Sequence, residues 1–368
     1  MRIALITDKF NVGGGLEHIY QIVNSMQDFN FFIFAKGGDA QDKFKHLKNV
    51  FLNSSGYNRE FVLKFNPDVI HIHHLKPLFH FYRINYLSFY HVPIVFTAHG
   101  MHIHKYEFFK QDATAKIKFW LRFKLEKYLF NKVNKIITVS EEDKNFIAEN
   151  YRIDIAKIDY IQNGINFAPI ENIVSSKEDL RAKLNLPIDK FIFLTVARFD
   201  FQKGYDILLN SIKMLKSRID AKNILFVMVG DGETLNESKS FVNKNNLKDL
   251  VLFEGKRNNV YEFMKASDCF ILPSRWEGLP IAIIEAGASK LFVIASDTYG
   301  NRSIVKHLNN GILFKNLSAE NLLQKIIWVL YNKTSLSEYS LKLYENVTQN
   351  YNVNQMIEKL RVLYGRLT

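Results

Sequence analysis

Short apolar runs rich in Val, Ile and Phe alternate along this chain with longer stretches of helical periodicity. Strands covered by helices on both faces read as near-continuous apolar runs, so this alternation indicates β-α-β units and parallel sheets. In the first half the runs predict strands over residues 2–7, 31–35, 68–72, 94–97 and 136–139, with a short last one at 158–161. In the second half they predict strands over 191–196, 224–229, 251–253, 269–272 and 292–295. Two such series in succession imply two doubly wound α/β domains. The turn signal Asn163-Gly164, followed by a loop with Pro169, sets the join and gives domains over 1–165 and 166–349. Ligands of open α/β sheets collect at the carboxyl ends of strands, so the residues just after each run are the ones to read for chemistry.

Composition changes this picture little. The chain has 368 residues, too many for one compact core, and its 47% hydrophobic residues supply two. A disordered or low-complexity protein is excluded. The single cysteine, Cys269, rules out an intramolecular disulfide framework and fits a reducing compartment, hence a cytoplasmic location. The opening Met1-Arg2-Ile3-Ala4-Leu5-Ile6-Thr7-Asp8 meets an acid too soon for a signal peptide. No run approaches the roughly 18 apolar residues of a membrane span.

Charge adds more. Lys and Arg number 49 against 37 Asp and Glu, a net charge of +12, shared equally between the halves. A surplus of that sign favours an anionic partner. In the first half it is concentrated in residues 105–135. Nine Lys and Arg there face only Glu107, Asp112 and Glu126, interleaved with Phe108, Phe109, Phe119, Trp120, Phe123, Tyr128 and Phe130. Two readings stand: a core helix with an apolar stripe and solvated lysines, or a basic amphipathic surface lying on anionic lipid. Nucleic acid fits less well, because no finger spacing or RNP-like strand accompanies the segment.

Candidate chemistry lies at the strand ends. Gly13-Gly14-Gly15 follows the first run and precedes a helix with Leu16, Ile19, Tyr20, Val23 and Met26 on one face. It reads as a turn or as a loop that lets backbone approach an anion, although the spacing is not that of a dinucleotide fingerprint. Two histidine groups, His71-x-His73-His74 and His99-x-x-His102-x-His104, each follow a strand. Alternate residues of an extended segment share a face, so a metal site is conceivable. No cysteine or well-spaced carboxylate completes a ligand set, and the histidines read better as a polar cleft wall, with His99 offering hydrogen bonds to hydroxyls.

The second half is more pointed. The run ending at Ala197 delivers Arg198 and then Lys203-Gly204, a planar fork and a mobile point charge able to clamp a diphosphate. Gly230-Asp231-Gly232 is a tight strand exit. The stretch Pro273-Ser274-Arg275-Trp276-Glu277-Gly278-Leu279-Pro280 leads into a helix whose first turn would hold Pro280, with the Gly278 and Leu279 amides facing an anion. Glu285 is the only charge in that apolar helix and needs a partner, either a ligand's hydroxyl pair or a nearby cation.

At this point the chain resembles glycosyltransferase family 4, retaining enzymes of the GT-B fold. The likeness rests on Glu277, inside Pro-Ser-x-x-Glu-Gly-Leu-Pro, then seven residues, then Glu285. It continues, in order, through Gly14-Gly15-x-Glu17, Pro67-Asp68-Val69-Ile70-His71-x-His73, Thr97-x-His99-Gly100, Ile137-Thr138-Val139-Ser140-Glu141, Asn163-Gly164-Ile165, Arg198 with Lys203-Gly204, Gly230-Asp231-Gly232 and Asn310-Gly311. Asn166 and Ser303 depart from the residues common in that family.

The resemblance implies two Rossmann-like domains facing a central cleft, with a C-terminal helix at about 350–368 returning to the first domain. It implies a nucleotide-diphospho-sugar donor, a UDP-sugar by preference, and transfer of a hexose to a glycan or lipid-linked acceptor in bacterial surface polysaccharide assembly. Arg198 and Lys203 would hold the diphosphate in place of a metal, and no Asp-x-Asp occurs in the chain. Glu285 would bind the ribose, while Glu277 and His99 would contact the sugar. Gly14, Gly15, Gly230, Gly278 and Leu279 complete the donor set, and neither metal nor cofactor is expected. The basic segment 105–135 would set the enzyme peripherally on the inner face of the cell membrane, and the rival readings are a nucleotide-sugar epimerase on the same scaffold and a non-catalytic binder of membrane or polyanion.

Overall fold

The computed structural model describes residues 1–10, 14–38, 41–85, 91–100 and 113–368. They form two compact units: residues 1–165 with 351–368, and residues 166–350. The expected residues Gly13, His102, His104 and 105–112 lie outside the described set.

The first unit is built on a parallel sheet of seven strands: β1 (Arg2–Lys9), β2 (Asn30–Lys36), β3 (Val50–Asn53), β4 (Val69–His73), β5 (Ile94–Ala98), β6 (Lys135–Thr138) and β7 (Ile158–Tyr160). Their order is β3-β2-β1-β4-β5-β6-β7, so the winding reverses between β1 and β4. Every residue of β4 and β5 is buried, which is why these strands are continuous apolar runs, and His71 and His73 sit inside one of them. On one face the helix Gly14–Ser25 packs Leu16, Ile19, Ile22 and Val23 beside Met356, Ile357, Leu360, Leu363 and Tyr364 of the helix Val353–Leu367. The opposite face is covered by Leu78, Phe81, Leu129, Phe130, Ile147 and Tyr151. Each such side chain contributes about 1.5–3 kcal/mol by burial, so the C-terminal helix is part of this core.

That helix is joined to the unit by backbone. Ile165 N–H donates to Tyr351 O at 2.9 Å, and Val353 N–H donates to Ile165 O at 3.1 Å. Gly164 is required beside them, because a Cβ there would stand 2.6 Å from the Asn352 carbonyl oxygen.

The second unit repeats the plan with β8 (Phe191–Val196), β9 (Ile224–Val229), β10 (Val251–Gly255), β11 (Cys269–Leu272), β12 (Phe292–Ser296) and β13 (Ile312–Phe314). All pairs are parallel, the order is β10-β9-β8-β11-β12-β13, and the reversal falls between β8 and β11. Its core runs from Phe193 and Phe226 in the sheet to Ile212, Leu322 and Ile326 on the flanking helices.

Several expectations change. The strands β3 and β13 were not anticipated: β3 is four half-buried or exposed residues and β13 only three, too little apolar pattern to register. Gly14 and Gly15 lie in the first turn of a helix rather than in a loop. The helix Ala113–Lys132 does not segregate its faces. Lys116, Ile117, Lys118, Phe119, Trp120 and Leu121 are all exposed, and only the later turns bury Glu126, Leu129 and Phe130. The single apolar stripe expected of a core helix is therefore confined to its second half. Among the described residues no helix is long and apolar enough to cross a membrane.

Candidate functional site

In each unit the residues singled out by sequence gather where the strand order reverses, the position at which open α/β sheets expose a ligand crevice. In the second unit the two loops concerned follow β8 and β11. The β8 loop is shaped by local chemistry. Asp200 caps the turn Phe201–Lys203 by accepting from the Lys203 amide, and Gly204 then takes φ +67°, opening the helix Tyr205–Arg218. A side chain at Gly204 would strike the carbonyl oxygen of Pro273, so this glycine lets the two loops touch. Phe199 stacks on Tyr205 at 3.7 Å, and the Tyr205 hydroxyl donates to Ala197 O at 3.0 Å.

Arg275, buried, locks the β11 loop to the β8 loop. It donates to Phe201 O at 2.7 Å and to the Asp206 carboxylate at 2.6 and 3.0 Å, and lies 4.0 Å over the Phe201 ring. Sequence reading passed over this residue, whose neighbours in the motif drew attention instead.

On this scaffold Lys203 Nζ donates to Glu277 Oε1 at 2.6 Å, and the Ser274 hydroxyl donates to the same oxygen at 2.6 Å. The two charged side chains are 17% and 7% exposed. Ser274 is held in turn by the Ser296 hydroxyl on its carbonyl, and Asn301 donates to Ser296. Gly300 packs under this loop, since a Cβ there would lie 2.6 Å from Glu277 O. Arg198 follows another path: its guanidinium is 64% exposed and meets Asp200 at 3.1 Å. The structure therefore brings Lys203 to Glu277, a pairing across 74 residues that the sequence did not foretell, and leaves Arg198 on its own carboxylate.

Glu285 occupies the helix Ile281–Ala288 on its half-buried side, with Ile281 and Ala282, while Ile283, Ile284 and residues 286–288 are buried. The partner required of it includes the Tyr261 hydroxyl, which donates to Oε1 at 3.0 Å. Pro280 is the residue before the first turn rather than within it, and it supplies no side-chain acceptor to the amides that follow. Leu279 is buried and Gly278 half-buried. Gly230, at φ +146°, already donates its N–H to Gly255 O at 2.8 Å and abuts Ala197 O, so its role is to pack the β8 and β9 exits together rather than to offer an amide.

The first unit has a different set. His71 is fully satisfied: its Nδ1 lies 2.6 Å from the Tyr364 hydroxyl and its Nε2 2.6 Å from Thr97 Oγ1, tying β4 to β5 and to the C-terminal helix. Two residues on, His73 Nδ1 lies 3.0 Å from His99 Nε2 at the end of β5. His18, from the helix Gly14–Ser25, closes the group with its ring 4.9 Å from His99 and 5.6 Å from His73. His74, at φ 72°, stacks toward His99 at 4.9 Å and fills the space beside Gly15, where a Cβ would be 2.9 Å from Nε2. Sequence grouping omitted His18, a lone histidine on a helix face; only the tertiary fold identifies it.

Burial governs the charge of this cluster. His18 is 3% and His73 0% exposed. Desolvation, aided by neighbouring histidines, lowers His18 and His71 to about 3 and holds His73 well below the ordinary range. His74 is lowered by burial, with Asp8 opposing. These imidazoles are neutral at pH 7. Among the described residues, neither ring nitrogen of His18 has a hydrogen-bond partner, nor has His73 Nε2. A buried polar atom left so costs about 1–3 kcal/mol, and such a cost is ordinarily tied to a bound group. One ligand atom from each of His18, His73 and His99 falls within 4.8 Å of the others.

Comparison with known proteins places these features. Residues 176–350 match the family described as Glycosyl transferases group 1, and residues 38–168 match Glycosyltransferase Family 4. The chain is 31% identical over 276 residues to the UDP-Gal:alpha-D-GlcNAc-diphosphoundecaprenol alpha-1,3-galactosyltransferase of Escherichia coli, covering 74% of this chain and 68% of the relative. It is 31% identical over 253 residues to the N,N'-diacetylbacillosaminyl-diphospho-undecaprenol alpha-1,3-N-acetylgalactosaminyltransferase of Campylobacter jejuni, covering 66% and 63%. The crystal structure of Anabaena HepE in complex with UDP-glucose superposes over 100% of both chains with a TM-score of 0.84 at 19% identity, a likeness of fold.

Proposed function

The chain belongs to the group 1 glycosyltransferases, and on that premise we propose that it moves a hexose, with retention, from a UDP-sugar to a hydroxyl of a lipid-linked or glycan acceptor. The observation that carries this reading is the Lys203–Glu277 pair, seated with Ser274 at the strand reversal of the second sheet. The leaving group is a nucleoside diphosphate, so the barrier is charge developing on phosphate as the glycosidic bond breaks. Lys203 and the exposed Arg198 supply preorganised positive charge for it without a metal at the phosphates. Lys203 also holds the Glu277 carboxylate still, so that sugar hydroxyls meet an oriented acceptor. Glu285, steadied by Tyr261, is the partner for the ribose hydroxyls. Retention requires the acceptor hydroxyl to arrive on the face the phosphate leaves, and the departing phosphate oxygen takes its proton; Glu277 is not a covalent nucleophile here.

Support for the donor and acceptor classes comes from the E. coli and C. jejuni relatives, whose names specify diphosphoundecaprenol acceptors and, for the former, a UDP-Gal donor. These names favour transfer over epimerisation. In the first unit, His99 is the contact to sugar hydroxyls. Lys116, Lys118 and Lys124, exposed beside Ile117, Trp120 and Leu121, support a peripheral site on an anionic membrane at its cytoplasmic face.

A panel of nucleotide sugars, offered with an undecaprenyl-diphosphate-linked sugar, tests the reading. Transfer from one UDP-sugar, undiminished by chelator and giving a product with the donor's anomeric configuration by NMR, is expected. Interconversion of the free donor sugar, or an inverted product, would refute it.

A further inference from the structure

We propose that His18, His73 and His99 form a binding site for one transition-metal ion of the zinc class in the first unit. The site goes beyond the donor reading: all three residues belong to the unit that lacks the Lys203–Glu277 pair, and only His99 is shared with that reading.

Three observations converge. The first is donor type: three imidazoles, with no carboxylate among them, are the ligand set that suits zinc and leaves one position of a tetrahedron for an oxygen. The second is geometry. Two nitrogens bound at about 2.1 Å to a tetrahedral ion lie about 3.4 Å apart. His73 Nδ1 and His99 Nε2 are already 3.0 Å apart, and the third donor lies within 4.8 Å of both. Closing the third donor from within 4.8 Å to about 3.4 Å is the adjustment that a bound ion requires. The third is burial without a partner: among the described residues neither ring nitrogen of His18 has one, although the residue is only 3% exposed. A hydrogen-bonded histidine wall would leave few such atoms, as His71 illustrates with both of its nitrogens engaged.

The full chain, stripped with chelator and desalted, is titrated with Zn2+ by calorimetry and with Co2+ by visible absorption. The expected result is uptake of about one equivalent of Zn2+, and Co2+ d–d bands without a thiolate charge-transfer band. His18→Gln and His73→Gln, each checked for native circular dichroism, should weaken Zn2+ binding by at least about tenfold. The exposed His46→Gln should bind as the parent does. No stoichiometric uptake by the parent would overturn the proposal, as would unchanged affinity in a folded His18→Gln variant. Because the Co2+ spectrum is read on the parent, a variant that fails to fold does not shelter the idea.

Discussion

The two sheets reverse their winding at equivalent places, yet the crevices there are furnished in opposite ways. In the second unit the reversal carries full charges, Lys203 on Glu277 and Arg198 on Asp200, over a base braced by Arg275 and Asp206. In the first it carries neutral imidazoles pressed into the sheet, with Tyr364 and Thr97 satisfying only one of them. Charge suits a diphosphate, whose binding is a matter of countercharge and orientation. Neutral, buried nitrogens suit uncharged hydroxyls or a soft cation, because an ionised group at that depth would have to be desolvated. One fold plan thus hosts two chemistries, set by which residues occupy the strand ends rather than by topology.

The comparison can be broken most sharply at Lys203. Lys203→Ala removes the proposed phosphate cation and leaves the Glu277 carboxylate without its countercharge, so kcat/KM for transfer should fall by roughly 10²–10³, with UDP affinity weakened in calorimetry. Unaltered UDP binding would remove Lys203 from the donor site. Tyr364→Phe probes the other crevice: His71 loses a buried partner, and the first unit should lose about 1–3 kcal/mol of stability in urea titration. UDP affinity should stay as it was; a change in it would end the separation of roles. Tyr261→Phe should loosen Glu285 and weaken UDP binding by a few-fold, as a net hydrogen bond of about 0.5–1.5 kcal/mol implies. The smallest effect concerns pH. The Arg361 guanidinium beside Asp28 holds that carboxyl down at about 2. The pair's contribution is therefore complete above the unfolded carboxyl's ordinary range and is lost as pH falls through that range toward 2. In Asp28→Asn that part of the acid sensitivity of the C-terminal helix should vanish; identical acid titrations of parent and variant would dismiss the pair.

Much of the scaffold was legible because buried parallel strands leave little choice of residue: β5, β9 and β11 are apolar throughout or nearly so, and β4 departs from that only at His71 and His73. Half-exposed β3 and the brief β13 lacked that constraint. At the site, the β8 and β11 loops announced themselves through Arg, Lys and Glu at strand ends. What the chain could not announce was partnership. Lys203 meets Glu277 only because β8 and β11 lie side by side, and Tyr261 meets Glu285 across 24 residues and a strand. His18 shows the same limit most plainly: on a helix face it is an ordinary half-polar position, and its meaning comes from β4 and β5 arriving beneath it.

The hydrogen bonds between Ile165, Tyr351 and Val353 place the chain's exit from the first unit directly beside its return. The second unit is thereby a continuous insertion, leaving and re-entering through neighbouring backbone. The first unit draws on both ends of the chain: until Met356, Leu360 and Tyr364 pack beside the helix Gly14–Ser25, one face of its sheet is only partly covered. The half of the protein that begins first is the one completed last.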